Sequence, residues 1–271
     1  MSIKTILALA NGDDSTEPVL AGAVGVARCL NAHLEVLHVS PDPATYVPLI
    51  EDGMPVEMIE RIRANAASLA VQERDAVRAA YDRICAASGL SVAWQDTVGS
   101  KPAILPAAAR LADLLTMAKP NEYFAETLEA ALFESGRPVL ILPRRTVSAI
   151  GNRIVIAWNG SVEAARAVTA AVPFLRLATQ VDVVMVGDVA RQAPPNALVP
   201  YLARHGVKAA IHVLQPGNRS IGDELLEAAS RFGADLLVMG AYGHSRLREW
   251  VLGGATLGVL TASEVAVLMI H

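Results

Sequence analysis

The sequence predicts an α/β protein with two tandem domains, each a doubly wound, Rossmann-like parallel sheet. Short apolar runs alternate with longer segments of helical periodicity along the whole chain. Runs such as residues 181–186 are almost continuously apolar, which is typical of parallel strands covered by helices on both faces. The order of segments occurs twice, and right-handed crossovers between parallel strands then give a doubly wound sheet in each half.

Three stretches of the first half recur in the second half in the same order. ILALANG at residues 6–12 is matched by IVIAWNG 148 residues later, and ADLLTMA at 112–118 is matched by ADLLVMG 122 residues later. Each half then closes with an apolar strand, so the pattern indicates a duplicated unit. We predict a first domain over residues 1–146 and a second over residues 150–271, with a linker in the polar stretch 144–152.

In the first half, five apolar strands alternate with four segments that carry an apolar face at helical spacing. The predicted strands are residues 3–10, 33–39, 91–98, 113–118 and 138–143. The predicted helices are residues 16–30, 55–88, 101–111 and 121–135. Between the matched stretches this half is longer by 26 residues, which we place in a proline-containing loop and a long helix within residues 41–88.

The second half repeats the alternation. Its predicted strands are residues 153–158, 180–187, 207–215, 234–240 and 265–270, and its predicted helices are residues 161–176, 195–205, 218–232 and 254–263. After the fourth strand this half is six residues longer than the first half. The surplus lies where the carboxyl ends of parallel strands present a ligand.

Composition excludes several classes of protein. Of 271 residues, 53% are hydrophobic and 18% are charged, which supplies a core and argues against disorder. A net charge of −4 is unlike the basic balance of a nucleic-acid-binding protein. The apolar runs are shorter than the ~20 residues of a membrane-spanning helix, and the first strand lacks the features of a signal peptide. We therefore expect a cytoplasmic protein without a nucleic-acid or membrane partner.

The side chains that most often carry chemistry form no recognisable catalytic or metal motif. Cys29 and Cys85 lie in predicted helices and are expected to pack as small apolar groups. His38 is expected to be structural, and Asp13 and Asp14 to cap a helix. HExxH, clustered Cys and His, and G-x-S-x-G are absent from the sequence. We therefore assign no catalytic residue and no metal ligand.

A glycine-bearing segment follows the fourth strand of the second half. It reads MGAYG at residues 239–243, and after nine further residues come Gly253, Gly254, Ala255 and Thr256. Glycines let the backbone come close to an anion, and free N–H groups at a helix start add partial positive charge. A phosphate cradle fits this spacing, and so does a purely structural role in which the glycines turn the chain and open a helix.

Two common nucleotide-binding motifs are absent. The nearest match to a Walker A loop, residues 217–223, has Asp223 where that motif requires lysine. No GxGxxG follows either first strand, which argues against a nicotinamide-dependent dehydrogenase. A nucleotide would have to be held in another way.

The residues at the strand ends resemble those of a known family. Asn-Gly-Ser ends the first strand of the second half, and Gly240-x2-Gly243-x9-Gly253 follows the fourth, as in the universal stress protein family. Two copies in one chain resemble the tandem-domain members, and the resemblance covers essentially the whole chain. It implies an adenine nucleotide alpha-hydrolase-like fold. In the first half AKPN at residues 118–121 replaces the glycines, so we interpret that nucleotide site as degenerate.

The resemblance implies an adenine nucleotide, ATP or AMP with or without Mg²⁺, over the strand ends of the second half. The first-strand turn is implied to face adenine and ribose, the second strand end to line the base pocket, and the fourth strand end to meet ribose or base. The glycines and the helix start are implied to surround the phosphates, with the connecting loop flanking them. The residues are Ala157, Trp158 and Asn159 in the first-strand turn; Val186 at the second strand end; Met239 and Gly240 at the fourth strand end; Gly243, Gly253, Gly254, Ala255 and Thr256 around the phosphates; and Tyr242 and His244 in the connecting loop.

Three of these residues depart from the family pattern. Asn159 stands where the family commonly has aspartate, so hydrogen bonding is retained but the charge is lost. Trp158 is bulky and fits either stacking on a base or crowding of the site. Gly254 stands where the ATP-binding pattern usually has serine or threonine, which leaves Thr256 as the hydroxyl donor.

The resemblance predicts a universal stress protein with a stress-response or regulatory role. Two alternatives stay open: an interaction scaffold without nucleotide, and an adenylate-handling enzyme with at most slow ATP hydrolysis. The apolar last strands, residues 139–142 and 265–270, are expected at sheet edges, which invite pairing. We expect them to join the halves as an intramolecular pseudo-dimer, and a further homodimer is left open.

Overall fold

The structure, a computed structural model, describes residues 2–42, 56–120, 125–187, 195–215, 217, 219–241 and 254–271. The first half contains β1 (Thr5–Ala10), α1 (Thr16–Leu30), β2 (His33–Ser40), α2 (Val56–Ile84), β3 (Val92–Val98), α3 (Lys101–Ala109), β4 (Leu114–Ala118), α4 (Ala125–Glu134) and β5 (Val139–Leu142). The second half contains β6 (Arg153–Ala157), α5 (Val162–Leu175), β7 (Gln180–Val186), α6 (Pro195–Arg204), β8 (Ala210–Leu214), α7 (Ile221–Arg231), β9 (Leu236–Gly240), α8 (Gly254–Ala262) and β10 (Ala266–Ile270).

All ten strands form one sheet in the order β3-β2-β1-β4-β5-β10-β9-β6-β7-β8. Within each half every strand pair is parallel, and the strand order reverses beside β1 and again beside β6. β5 and β10 pair antiparallel, with Leu140 opposite Leu268. The predicted fold class, two tandem doubly wound α/β units, is confirmed.

Helices cover the sheet on both faces and bury two apolar clusters. α1, α2, α5 and α6 contribute to the cluster on one face, which includes Val19, Val77, Phe174 and Leu202. α3, α4, α7 and α8 contribute to the cluster on the other face, which includes Leu128 and Val259 in α4 and α8. Because both faces are covered, the central strands are apolar at nearly every position, as the sequence indicated.

The predicted elements are found, and the differences at their ends have local causes. α7 begins at Ile221 rather than at residue 218 because Ser220 caps it, its Oγ accepting the Asp223 N–H at 3.1 Å. β8 begins at Ala210 rather than at residue 207 because the Val207 N–H donates to the Leu202 carbonyl and closes α6. α2 ends at Ile84, and a short 3-10 helix, Ala86–Ser88, follows it.

The two cysteines lie in different environments. Cys85 is fully buried, as expected, and burial raises the pKa of its thiol to about 11. The expectation for Cys29 is wrong: it lies on the exposed side of α1, near the end of that helix. Helical spacing alone did not distinguish the two.

Among the described residues, no helix combines the length and the apolar composition needed to cross a membrane. The longest, α2, has 29 residues and carries charged side chains along its length.

A charge at the junction of the halves should disrupt their pairing. Leu268 is 1% exposed and pairs with Leu140, so Leu268→Asp would bury an unpaired carboxylate. We expect this variant to lose about 3 kcal/mol or more of unfolding free energy, measured by urea denaturation with size-exclusion chromatography. Leu111→Asp is the control, because Leu111 is 91% exposed and its replacement should cost within about 0.5 kcal/mol. Equal stabilities of the two variants would contradict this role of the junction.

Candidate functional site

The candidate site lies at the carboxyl edge of the second half of the sheet. β6 ends at Ala157, β7 at Val186 and β9 at Gly240, and these strand ends meet at one edge. The strand order reverses at β6, where β7 and β9 lie on either side. In open α/β sheets such a reversal is where ligands bind.

The turn after β6 is fixed by side chains of its own sequence. Asn159 Oδ1 accepts the Ser161 N–H at 3.0 Å, and Ser161 Oγ accepts the Ala164 N–H at 3.1 Å to cap α5. Gly160 has φ 73°, a left-handed conformation that favours glycine. The side-chain oxygen Oδ1 of Asn159 is therefore occupied within the turn, while the exposed side-chain NH₂ of the same residue can donate to a ligand.

Gly240 has a packing role at this edge. A Cβ on Gly240 would lie 2.6 Å from Ala164 N and 2.6 Å from the carbonyl carbon of Glu163, both in the backbone of α5. The absence of a side chain therefore lets the first turn of α5 approach the end of β9. This contact supports a structural role for Gly240, and its half-exposed backbone still borders the site.

α8 begins at Gly254 and packs against the start of α7. A Cβ on Gly258 would lie 3.9 Å from Gly222 Cα and 4.0 Å from Ser220 Oγ, so the two helices are in close contact. Thr256, in the first turn of α8, is 5% exposed, and Met239 is 6% exposed. Tyr242, Gly243, His244 and Gly253 lie outside the described residues, as does the side chain of Ala255.

Trp158 follows β6 and carries an unsatisfied donor. Its indole packs against the apolar cluster shared by α5 and α6, and its backbone N–H donates to the Val184 carbonyl at 2.9 Å. Its Nε1 is buried and has no acceptor among the described residues. Buried indole N–H groups normally have a partner, and the part of the chain that the structure describes supplies none for Trp158.

The equivalent edge of the first half is closed. The second-half positions Ala157, Trp158, Val186 and Gly240 are partly exposed and Asn159 is exposed. The matching first-half residues are all buried: Leu9 0%, Ala10 0%, Val39 0%, Ala118 2% and Asn11 4% exposed. The two halves therefore share a fold and differ in whether their strand ends can be reached.

Two charged side chains help to close the first-half edge. Lys101 Nζ donates to the backbone carbonyl oxygen of Asn11 at 3.0 Å and lies 4.0 Å from Glu73 Oε1. Glu73, from α2, lies directly over Gly12, in the space that a Cβ there would occupy. Burial lowers the pKa of Lys101, and the nearby carboxylates Glu73 and Asp13 oppose that shift.

His38, at the same edge, is structural, as expected. It is fully buried, with Nδ1 3.2 Å from the Ala10 carbonyl and Nε2 3.2 Å from Ser40 Oγ. Both ring nitrogens thus have partners, with Nδ1–H donating to the carbonyl and Nε2 accepting from the hydroxyl. This histidine is not positioned to act as a base.

Arg144 ties the linker to the turn after β1. Its Nη2 donates to Asp13 Oδ2 at 2.9 Å and also to Asp14 Oδ1. Burial by itself raises the pKa of Asp13, but hydrogen bonds from Ser15 and Arg144 outweigh burial and leave that pKa below its usual value. Asp13 Oδ1 accepts the Ser15 N–H at 2.9 Å, which orders the turn before α1.

Within the described ranges, no group of three or more His, Cys, Asp and Glu side chains converges on a point. The described edge carries hydrogen-bond donors in the Asn159 side-chain amide and the Trp158 indole.

Comparison with known proteins places the second half in a family. Residues 151–271 match the family model for the universal stress protein family. This half of the chain is a universal stress protein domain. No curated protein sequence matches the chain.

Solved structures of universal stress proteins extend the likeness to both halves. One from Archaeoglobus fulgidus DSM 4304 has a TM-score of 0.71 at 16% identity, covering 97% of this chain and 95% of that chain. A proposed universal stress protein from Pseudomonas aeruginosa UCBPP-PA14 has a TM-score of 0.61 at 16% identity, covering 99% and 93%. At these identities the likeness shows a shared fold across both halves. A shorter structure, 20% identical, is of a universal stress protein in complex with cAMP; it covers 44% of this chain and 97% of that chain with a TM-score of 0.37.

Sequence reasoning did not find Lys101, Glu73 or Arg144. Lys101 follows Ser100 at the start of α3, as Ile221 follows Ser220 at the start of α7. A lysine in one copy where the other has isoleucine was the available signal. No sequence signal marked Glu73, because this residue lies in the part of the first half that has no counterpart in the second half.

We predict that Gly240→Ala destabilises the protein. The new Cβ would overlap the backbone of α5, which cannot move without displacing the helix, so the expected cost is about 2 kcal/mol in urea denaturation. Gly25→Ala is the control, because nothing lies within 4 Å of a Cβ at that helical position. Alanine there should leave the stability unchanged or raise it by up to ~1 kcal/mol. A neutral Gly240→Ala would show that the contact with α5 is not required.

We predict a pH-dependent loss of stability for Arg144→Gln. The pKa of Asp13 is lower in the folded protein than in the unfolded chain, so its stabilisation is complete above about pH 4 and is lost as the pH falls through the folded pKa. Because Arg144 is partly exposed, the variant should lose about 1 kcal/mol at neutral pH and less in acid. Arg145→Gln, which breaks the exposed pair with Glu264, is the control and should lose little at any pH. A pH-independent deficit would argue against the carboxylate pairing.

Proposed function

We propose that the second half binds an adenine nucleotide, ATP or AMP, at the carboxyl edge of β6, β7 and β9, and that the protein has a stress-response or regulatory role. The observation that carries this proposal is the contrast in exposure between the halves. At matched positions the strand ends are accessible in the second half and buried in the first. Membership of the second half in the universal stress protein family supports an adenine nucleotide as the ligand.

The residues at this edge suit a nucleotide in three respects. The first turn of α8 begins at Gly254 and presents backbone N–H groups, which favour phosphate. The buried Trp158 Nε1 lacks an acceptor within the described chain, and a base or ribose carries several. The Asn159 amide can donate to a hydroxyl from the turn that its own carbonyl oxygen holds in place. The loop containing Tyr242, Gly243 and His244 would complete the phosphate side.

The first half is proposed to have a structural role only. Lys101 and Glu73 lie over the turn after β1, and a ligand there would have to displace a partly buried cation from the backbone carbonyl of Asn11. The halves would then act as a pseudo-dimer, with β5 and β10 as the junction. One nucleotide for each chain is the expected stoichiometry.

Titration with ATP, ADP and AMP tests the proposal. Isothermal titration calorimetry of the full chain should give one site, and mass spectrometry after denaturation should detect any adenine nucleotide that copurifies. If calorimetry detects no binding of ATP, ADP or AMP and no adenine nucleotide copurifies, the proposal is overturned and the nucleotide-free scaffold is favoured. A phosphate-release assay with Mg²⁺ separates binding alone from turnover, and rapid release would favour the adenylate-handling enzyme.

We predict that Gly253→Leu abolishes nucleotide binding while the fold persists. A bulky side chain beside the start of α8 would occupy the space through which phosphate reaches the backbone N–H groups. Calorimetry should show at least a tenfold weaker affinity, which is about 1.4 kcal/mol, with an unchanged far-UV spectrum. Pro120→Leu, in the corresponding turn of the first half, is the control and should bind as the parent does. Equal affinities in the two variants would remove the phosphate assignment.

A further inference from the structure

A cavity lies at the junction of the halves, on the α5 side of the edge that carries the candidate nucleotide site, and Ile270 in its lining pairs with Gly240. Its volume is about 390 Å³, which falls in the range of small-molecule sites. One wall is the outer face of α5, from Val162 to Pro173, and the opposite wall is formed by residues at the start of the first-half strands, including Ile3 and Pro138. Ile270, at the end of β10, also lines it.

The duplicated fold supplies a filled counterpart of this cavity. On the other side of the junction, a Cβ on Gly22 of α1 would lie 2.8 Å from Leu142 Cδ1 and 3.5 Å from Ile150 Cδ1. The linker residue Ile150 thus packs into the groove between α1 and the end of β5. In the first half this groove is therefore filled by an aliphatic side chain.

The positions that match this filled groove line the cavity. Ala170 corresponds to Gly22 and Ser2 to Ile150, each 148 residues apart in the duplication. Ile270 ends β10 as Leu142 ends β5. The described chain thus places a small exposed serine where the other groove has isoleucine. The side chain at residue 2 therefore fills less of the groove beside α5 than Ile150 fills of the groove beside α1.

The charges around the cavity favour an anion. Arg166, exposed on α5, has no acidic partner among the described residues. Arg137 Nε donates to the backbone carbonyl of Arg110 at 3.1 Å, and its Nη2 donates to the same carbonyl, so Nη1 is the part of this guanidinium left for a ligand. No carboxylate pairs with Arg137 in the part of the chain that the structure describes. Among the described lining residues Asp113 supplies the one carboxylate, and its Oδ2 accepts the backbone N–H groups of Lys4 at 2.7 Å and Thr5 at 3.1 Å.

We propose that this cavity binds a medium-chain aliphatic monocarboxylate. The alkyl chain lies between Ala170 and Ile270, where the other groove holds Ile150, and the carboxylate lies at Arg166 and Arg137. Burial of the alkyl chain supplies most of the affinity, and the two guanidinium groups select an anion over a neutral or cationic head. The proposal does not depend on nucleotide binding.

The experiment uses the full-length chain, with octanoate as the probe and octanol and octylamine as matched neutral and cationic compounds. Calorimetry at neutral pH should show one octanoate site of millimolar affinity or better, with octanol weaker and octylamine weakest. Ser2→Ile recreates the residue that fills the opposite groove, so it should weaken octanoate binding about tenfold or more and leave the melting temperature equal or higher. Ser2→Ala keeps the cavity open and should bind as the parent does.

The charged end is tested separately. Arg166→Gln should weaken the binding of octanoate about fivefold, because an exposed ion pair between Arg166 and the carboxylate contributes modestly to affinity. The binding of octanol should be unaffected. Arg176→Gln, at the exposed end of the same helix, is the matched control and should have no effect. Absence of octanoate binding, or equal binding by the parent and Ser2→Ile, would overturn the site. An Arg166→Gln affinity equal to that of the parent would overturn the assignment of a carboxylate.

Discussion

The antiparallel pairing of β5 with β10 is the interaction on which the architecture depends. Each half by itself ends in an apolar strand with one unpaired edge, which would be open to other chains. Pairing satisfies both edges and gives a continuous ten-stranded sheet between two layers of helices. Because the junction is antiparallel, the carboxyl edges of the two halves lie at opposite ends of the sheet. Each edge can therefore change without a direct effect on the other.

The two edges have diverged through a small number of side chains. Lys101 and Ile221 both follow the serine that precedes a helix, yet Lys101 extends to the Asn11 carbonyl while Ile221 is 52% exposed. A long cationic side chain at Asn11 and a carboxylate from α2 over Gly12 help to cover an edge whose counterpart in the second half is partly exposed. The cost of burying Lys101 is reduced by its hydrogen bond and by the nearby Glu73. In a duplicated fold a few side chains can thus help to bury the strand ends of one half while those of the other half stay accessible.

The linker breaks the pseudo-twofold symmetry at a second place. It runs along only one side of the junction, where Ile150 packs between α1 and the end of β5. The other side has Ser2 at the matching position and carries an open cavity. Since interiors are close-packed, the absence of one aliphatic side chain from such a groove leaves space for an apolar ligand. The same connection that joins the domains thus leaves their junction asymmetric.

The sequence by itself determined the duplicated α/β order, the nine-element pattern of each half and the strand ends that border the candidate site. These features follow from apolar periodicity and turn residues, which act over short distances along the chain. The closure of the first-half edge, the exposure of Cys29 and the cavity beside α5 were decided only by the tertiary structure. Lys101 meets Asn11 across 90 residues of sequence, and the cavity joins Ser2 to Ala170. Such contacts depend on how the helices pack against the sheet, and no local pattern records that packing.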